Sequence, residues 1–249
     1  MSKDLSRRTL LALVPAAGLA ACTTEELNSV LGAVSQMQGG GSGTAGLSAA
    51  DAAFGIKTAL EQGVGTAVSL LGRNNGYFGD PEVRIPLPSR LEEVRTTLGR
   101  FGLSGALDDL RLQLNRGAET AAPQARSIFV SAIRGLSIQD ALGIVRGGPT
   151  SATDYFERTT TSSLTNLFSP IMRNSLQRAG AIQTFDNMVA RLNAVPLAPQ
   201  LGADAKTDLI NHGVGKGLDG LFNYIGQEEA AIRSNPAKRT SEILQRVFG

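Results

Sequence analysis

Leu107, Leu110, Leu114, Ala118, Ala121, Ala125, Ile128 and Ala132 follow one another at steps of three and four residues. That spacing puts all of them on one side of an α-helix and alternates faces in any strand. Pro123 falls inside the run and lacks the amide that a continuous helix needs. The stretch therefore reads as one long kinked helix or two collinear ones. The same period recurs through Ala52, Ile56, Leu60, Val64, Ala67 and Leu71, and again through Ile210, Val214, Leu218, Leu221, Ile225 and Ile232. Ser48-Ala49-Ala50-Asp51, Ser89-Arg90-Leu91-Glu92, Ser137-Ile138-Gln139-Asp140 and Ser151-Ala152-Thr153-Asp154 have the form of helix starts. In each, a hydroxyl and a carboxylate three residues apart can satisfy free amides. The helix opened at Ser151 runs past Phe156, Leu164, Leu167, Phe168 and Ile171, with a bend at Pro170. Further helices are expected at Ala181–Leu192 and from Thr240 to Phe248, with a loop at Pro196–Pro199. With no Trp and only 5% aromatic residues, close contacts fall to Ala and Gly. The expected fold is all-α, a single helical bundle.

One segment breaks the pattern. Residues 74–88, Asn-Asn-Gly-Tyr-Phe-Gly-Asp-Pro-Glu-Val-Arg-Ile-Pro-Leu-Pro, combine turn signals with residues suited to extended chain. A loop or small hairpin is expected there, with Tyr77 and Phe78 as an exposed contact for a partner.

The lone cysteine, Cys22, fixes the expected address. Lys3, Arg7 and Arg8 precede an apolar run from Thr9 to Leu19, and then Leu19-Ala20-Ala21-Cys22. This is a signal peptide over 1–21 ending in a lipobox, in which the thiol takes a diacylglyceryl group. Residues 22–46 form the lipidated N-terminus and a flexible tether, Gly39-Gly40-Gly41-Ser42-Gly43-Thr44-Ala45-Gly46, able to reach roughly 16 Å as a coil. Residues 47–249 are the helical domain. Thr23 rather than Asp after the cysteine resembles the outer-membrane default. Ser6-Arg7-Arg8-Thr9-Leu10-Leu11 resembles a twin-arginine signal, which exports folded chains. Losing residues 1–21 removes Lys3, Arg7, Arg8 and Asp4 and balances the remaining acidic and basic groups. That balance argues against nucleic acid as a partner. The membrane is met through the lipid on Cys22.

Catalytic chemistry is mostly excluded by absence. With His212 the one histidine and Cys22 acylated, a Ser-His-Asp or Cys-His nucleophile is excluded unless His212 itself is the base, no His/Cys metal site and no P-loop can be assembled, and no cofactor is expected. His212 reads as a hydrogen-bonded structural residue. Gly215-Lys216-Gly217-Leu218-Asp219-Gly220 matches a nucleotide-binding pattern by letter, but no strand precedes it. Its glycines read instead as places where helices approach closely. The informative polar residues are Asn115, Arg116 and Glu119, which cluster beside the long apolar stripe. Glu228 and Glu229 interrupt the last one, next to Arg233 and near Arg239. An inward carboxylate needs a partner, so Asn115, Arg116, Glu119, Asp219, Glu228, Glu229, Arg233 and Arg239 are candidates for a buried polar network.

Asn115-Arg116-Gly117-Ala118-Glu119, Ala152-Thr153-Asp154-Tyr155-Phe156, Leu218-Asp219-Gly220-Leu221-Phe222, Glu228 through Pro236, and Arg239-Thr240-Ser241-Glu242-Ile243-Leu244 resemble the domain of unknown function 4197 family. Gly76-Tyr77 and Ile85-Pro86-Leu87-Pro88 fit its N-terminal part. The resemblance covers roughly Gly46 to Gly249, with Gly117 standing where Ala is expected. It implies an α-helical bacterial envelope protein and no particular activity.

Two functions are consistent with these features. One is a non-catalytic lipid-anchored protein on the periplasmic face of the outer membrane that binds a partner protein or an amphiphile. The other is a carboxylate-dependent, glycosidase-like hydrolase of cell-wall material, using Glu119 with Glu228 or Glu229. Its carboxyl groups would have to stand about 5–9 Å apart across an open cleft.

Overall fold

A computed structural model describes residues 48–100, 104–178, 180–193 and 205–235, together with Lys238 and Gln245. The signal, Cys22, the tether, the Pro196–Pro199 loop, Arg239 and, apart from Gln245, the Thr240–Phe248 segment lie outside the described residues. Helix α1 is Ala49–Leu71, α2 Ser89–Gly99, α3 Gly105–Ala121, α4 Arg126–Gly135, α5 Ile138–Arg146, α6 Ser151–Arg178, α7 Ala181–Asn193 and α8 Ala205–Ser234. The described residues contain no strand. The fold is all-α.

The long stripe behaves as its spacing demands. Leu107 through Ala125 are buried and Ile128 and Ala132 partly so. At Pro123 the backbone tightens into a 3-10 turn, Ala122–Ala125, which joins α3 to α4. After Gly135 the chain turns through 103° into α5. Helix α3 packs on α6, α6 on α8 and α8 on α1, with α4 and α5 closing over α1. Phe129 meets Phe156 edge to face at 5.2 Å and Phe222 at 6.2 Å, linking α4, α6 and α8 through one aromatic cluster. Helix α6 runs unbroken through Pro170. No single described helix is long and apolar enough to cross a membrane.

The helix starts divide in two. Ser48 with Asp51 and Ser137 with Asp140 form reciprocal capping boxes. The other two serines do not cap. Ser89 lies inside α2, whose start at Pro88 has no side-chain cap, and Glu92 turns to Arg95 at 2.6 Å instead. Ser151 donates to Gly148 O, and the hydroxyl that reaches Asp154 belongs to Thr150.

Residues 74–88 form a loop of successive turns rather than a hairpin. Asn75 takes a left-handed conformation with φ 66°. The segment lies as a strap across α3 and α8, and the residues that hold it there include those singled out for their charge.

Candidate functional site

On α3, Asn115 and Glu119 are four residues apart and share the face beneath the strap. Asn115 is wholly buried. Its Oδ1 accepts from Ile85 N at 2.9 Å and its Nδ2 donates to Ile85 O at 2.9 Å, so one side chain replaces both hydrogen bonds of an extended neighbour. Glu119 Oε1 accepts the backbone amides of Tyr77 and Phe78 at 3.2 and 3.1 Å. Its Oε2 accepts from Arg116 Nη1 at 2.5 Å. Arg116 Nη2 then donates to Asn75 Oδ1 at 2.8 Å, tying the left-handed turn to the helix. Here a carboxylate on a helix caps a turn that begins about forty residues earlier in the chain.

Tyr77 corrects the expectation of an exposed contact. It is fully buried, and its Oη donates to Gly217 O at 2.7 Å. A Cβ on Gly220 would stand 2.8 Å from Tyr77 Cε1 and 3.1 Å from Val83 Cβ. Within the stretch that imitates a nucleotide motif, Gly220 thus leaves room for this ring, and Gly217 supplies the carbonyl its hydroxyl meets while facing Phe168 and Ala118. Burial, and next the nearby Glu119 charge, hold the Tyr77 phenol well above the usual range. The strap is also pinned by Tyr224, whose Oη donates to Asp80 Oδ2, and by Gln227 Nε2 donating to Glu82 at 3.0 Å. His212 Nε2 donates to Pro86 O at 2.9 Å, the structural role expected for it.

The second polar cluster sits further along α8. Of the adjacent glutamates, Glu229 is the one turned inward. Its Oε1 accepts from Ala152 N at 3.0 Å and from Arg233 Nη2 at 2.7 Å. Its Oε2 accepts from Thr153 N at 2.9 Å and Thr153 Oγ1 at 2.8 Å. Ala152 and Thr153 are in the first turn of α6, where amides have no intrahelical acceptor and the helix dipole favours negative charge. Glu229 is thus the cap of α6, delivered from another helix, which explains why Ser151 is free to bond elsewhere. Arg233 Nη2 also donates to Ile144 O at 2.8 Å, closing off the end of α5.

The predicted network is therefore two clusters. Asn115, Arg116 and Glu119 belong to the first, and Glu229 and Arg233 to the second. Glu228 belongs to neither: its side chain, 15% exposed, lies beside Gly63 of α1 and meets Lys238 at 3.4 Å. Asp219 does not belong at all. Its side chain is 66% exposed and pairs with Lys216, because its helical position faces away from Gly217 and Gly220. Thr153, Arg84 and Arg111 were missed. Arg84 and Arg111 lie beside Phe78, within 5.5 and 5.9 Å of its ring centre. Spacing could have found Arg111, one turn before Asn115 on the same face. The described residues hold no group of three or more metal-ligating side chains. The apolar cavity beside Glu229, lined by Ile56, Val64, Phe156 and Ile225, has a volume of about 30 Å³.

Two carboxylates acting as caps from a distance, and a loop strapped over a helical bundle, define an all-helical domain built around internal polar fasteners. The chain belongs to the family described as a protein of unknown function, DUF4197, which matches residues 46–249. No curated protein and no solved structure matches it.

Proposed function

We propose that this is a non-catalytic envelope protein, anchored by a lipid on Cys22 at the periplasmic face of the outer membrane. Its helical domain binds a partner protein or an amphiphile. The observation that carries the non-catalytic reading is the bonding of Glu119 and Glu229. Each is buried and accepts two backbone amides and an arginine, so both carboxylates are engaged in holding backbone. They share no hydrogen-bond partner. A sugar ring does not fit a cavity of about 30 Å³, where by the same measure one water already needs roughly 10–15 Å³. The geometry gives the hydrolase reading no support. An amphiphile would be met at the surface, not enclosed.

The address rests on the lipobox and the charge pattern before it. Mass spectrometry of protein purified from its native membranes should show residue 22 carrying a diacylglyceryl group, and Cys22→Ala should release the chain from the membrane fraction. A free thiol at residue 22 would defeat the anchor. Crosslinking in intact cells should capture a defined partner at levels unchanged by Glu119→Gln at permissive temperature. Muropeptide release that depends on Glu119 or Glu229 would overturn the non-catalytic reading.

A further inference from the structure

We propose that Arg84, Arg111 and Arg116, gathered around Phe78, form a receptor for a phosphate-type anion. Their guanidinium carbons lie 5.5, 5.9 and 6.0 Å from the centre of the Phe78 ring. Three like charges thus stand around one half-buried ring. Glu119 answers Arg116. Asp108 is shared, accepting from Arg95 at 3.2 Å and standing 3.5 Å from Arg111. Arg95 also holds Glu92. Arg84 has no carboxylate within ion-pair distance among the described residues, while Asp80 and Glu82 on the same strap bond the neutral Tyr224 and Gln227.

Arg84 spends Nε on Phe78 O at 2.6 Å, and its Nη1 and Nη2 have no partner among the described residues. Arg111 Nε is sealed from solvent and also unpartnered there. Arg84 is exposed, so its free guanidinium donors face solvent and are open to a ligand. Guanidinium groups approaching from several sides suit a tetrahedral oxyanion better than a planar carboxylate. The ring fixes the directions of the arginine side chains by cation–π contact, and Asn75 holds Arg116 in place. The strap is thus a platform for an anion, supplied by a phospholipid headgroup or by a free phosphate compound. This inference gives the binding role a ligand class and rests on that role, but not on acylation.

The test uses the full chain with Cys22→Ser in every arm, so that no acyl group contributes. Pyrophosphate binding is measured by calorimetry. Vesicle capture is measured by flotation with phosphatidylcholine alone and with added phosphatidylglycerol. Arg84→Gln and Arg111→Gln should each weaken binding by about tenfold or more, while Arg158→Gln, remote from the strap, leaves it unchanged. Arg116 is left intact because it holds Glu119. Circular dichroism and thermal melting verify the fold, and Arg111→Gln carries the test alone if Arg84→Gln unfolds. Arginine-dependent pyrophosphate binding supports a free phosphate ligand. Arginine-dependent preference for phosphatidylglycerol supports a headgroup. Binding in neither arm, or binding indifferent to both substitutions, overturns the site. If a crosslinked partner is still captured in that case, only the site falls and the binding role stands.

Discussion

Glu119 and Asp219 are both acidic residues on helices, yet the fold uses them in opposite ways. Removing Glu119 strands two amides of the strap and leaves Arg116 without its counter-charge. Glu119→Ala should therefore cost about 3–5 kcal/mol, read from urea unfolding. Asp219→Ala, at an exposed pair with Lys216, should change stability by less than about 0.5 kcal/mol. The sequence marks the need for a partner more clearly than the partner's identity. Glu229 is legible as inward because it interrupts an apolar stripe. That it caps α6 is not legible, because Ala152 and Thr153 are 77 and 76 residues away and contribute backbone amides that carry no signature. Tyr77 is misread for a related reason. An aromatic residue between turn signals suggests exposure, and only the packed position of Gly217 and Gly220 turns it inward.

At the level of elements, the helices are written in local periodicity and the strap is not. Spacing locates α1, α3, α4, α6 and α8, since burial of an apolar stripe needs only residues three and four apart. Capping is less legible. Reciprocal boxes form at Ser48 and Ser137, but the same letters at Ser89 and Ser151 yield to a tertiary competitor or to none. The glycines of α8 make a direct test. Gly220→Ala places a methyl against Tyr77 and Val83 and should destabilise by about 1–3 kcal/mol. Gly215→Ala meets nothing within 4 Å and should be stabilising by up to about 1 kcal/mol through helix propensity. Thermal melts of the two variants should move in opposite directions.

Titration tests how the strap is held. The hydrogen bond to Asp80, followed by burial and the Asp80 and Glu82 charges, pushes the Tyr224 hydroxyl up to about 12 from 10.0. A folded value raised in this way gives stability that is complete below the unfolded value and is lost as pH rises through the folded one. Stability should therefore fall between about pH 10 and 12. Tyr224→Phe should flatten that part of the fall, leaving the contribution of Tyr77. Absorbance titration of the phenolates alongside circular dichroism measures both. The Asp140 carboxyl behaves in the opposite sense. The Ser137 hydroxyl and amide hold it below its ordinary value of 3.8, so the cap of α5 persists above that pH and is lost on acidification. Asp140→Asn should blunt the acid sensitivity.

For the whole molecule, α8 is the element on which the others depend. It presents the slot for Tyr77, the partner for Asp80 and the cap for α6, and it packs on both α1 and α6. A chain ending at residue 204 should therefore lose more helicity than α8 itself contributes, and should melt without a cooperative transition. A truncated chain that kept a sharp melt would show that the remaining helices hold together unaided.

The strap's fasteners also set a timetable. Tyr77 meets Gly217 across 140 residues and Gln227 meets Glu82 across 145, so neither latch can close before residues 217 and 227 have been made. Until then the Tyr77 ring has no slot and the first turn of α6 has no Glu229. The nascent chain should consequently acquire its early helices quickly and wait for a late, nearly simultaneous locking step.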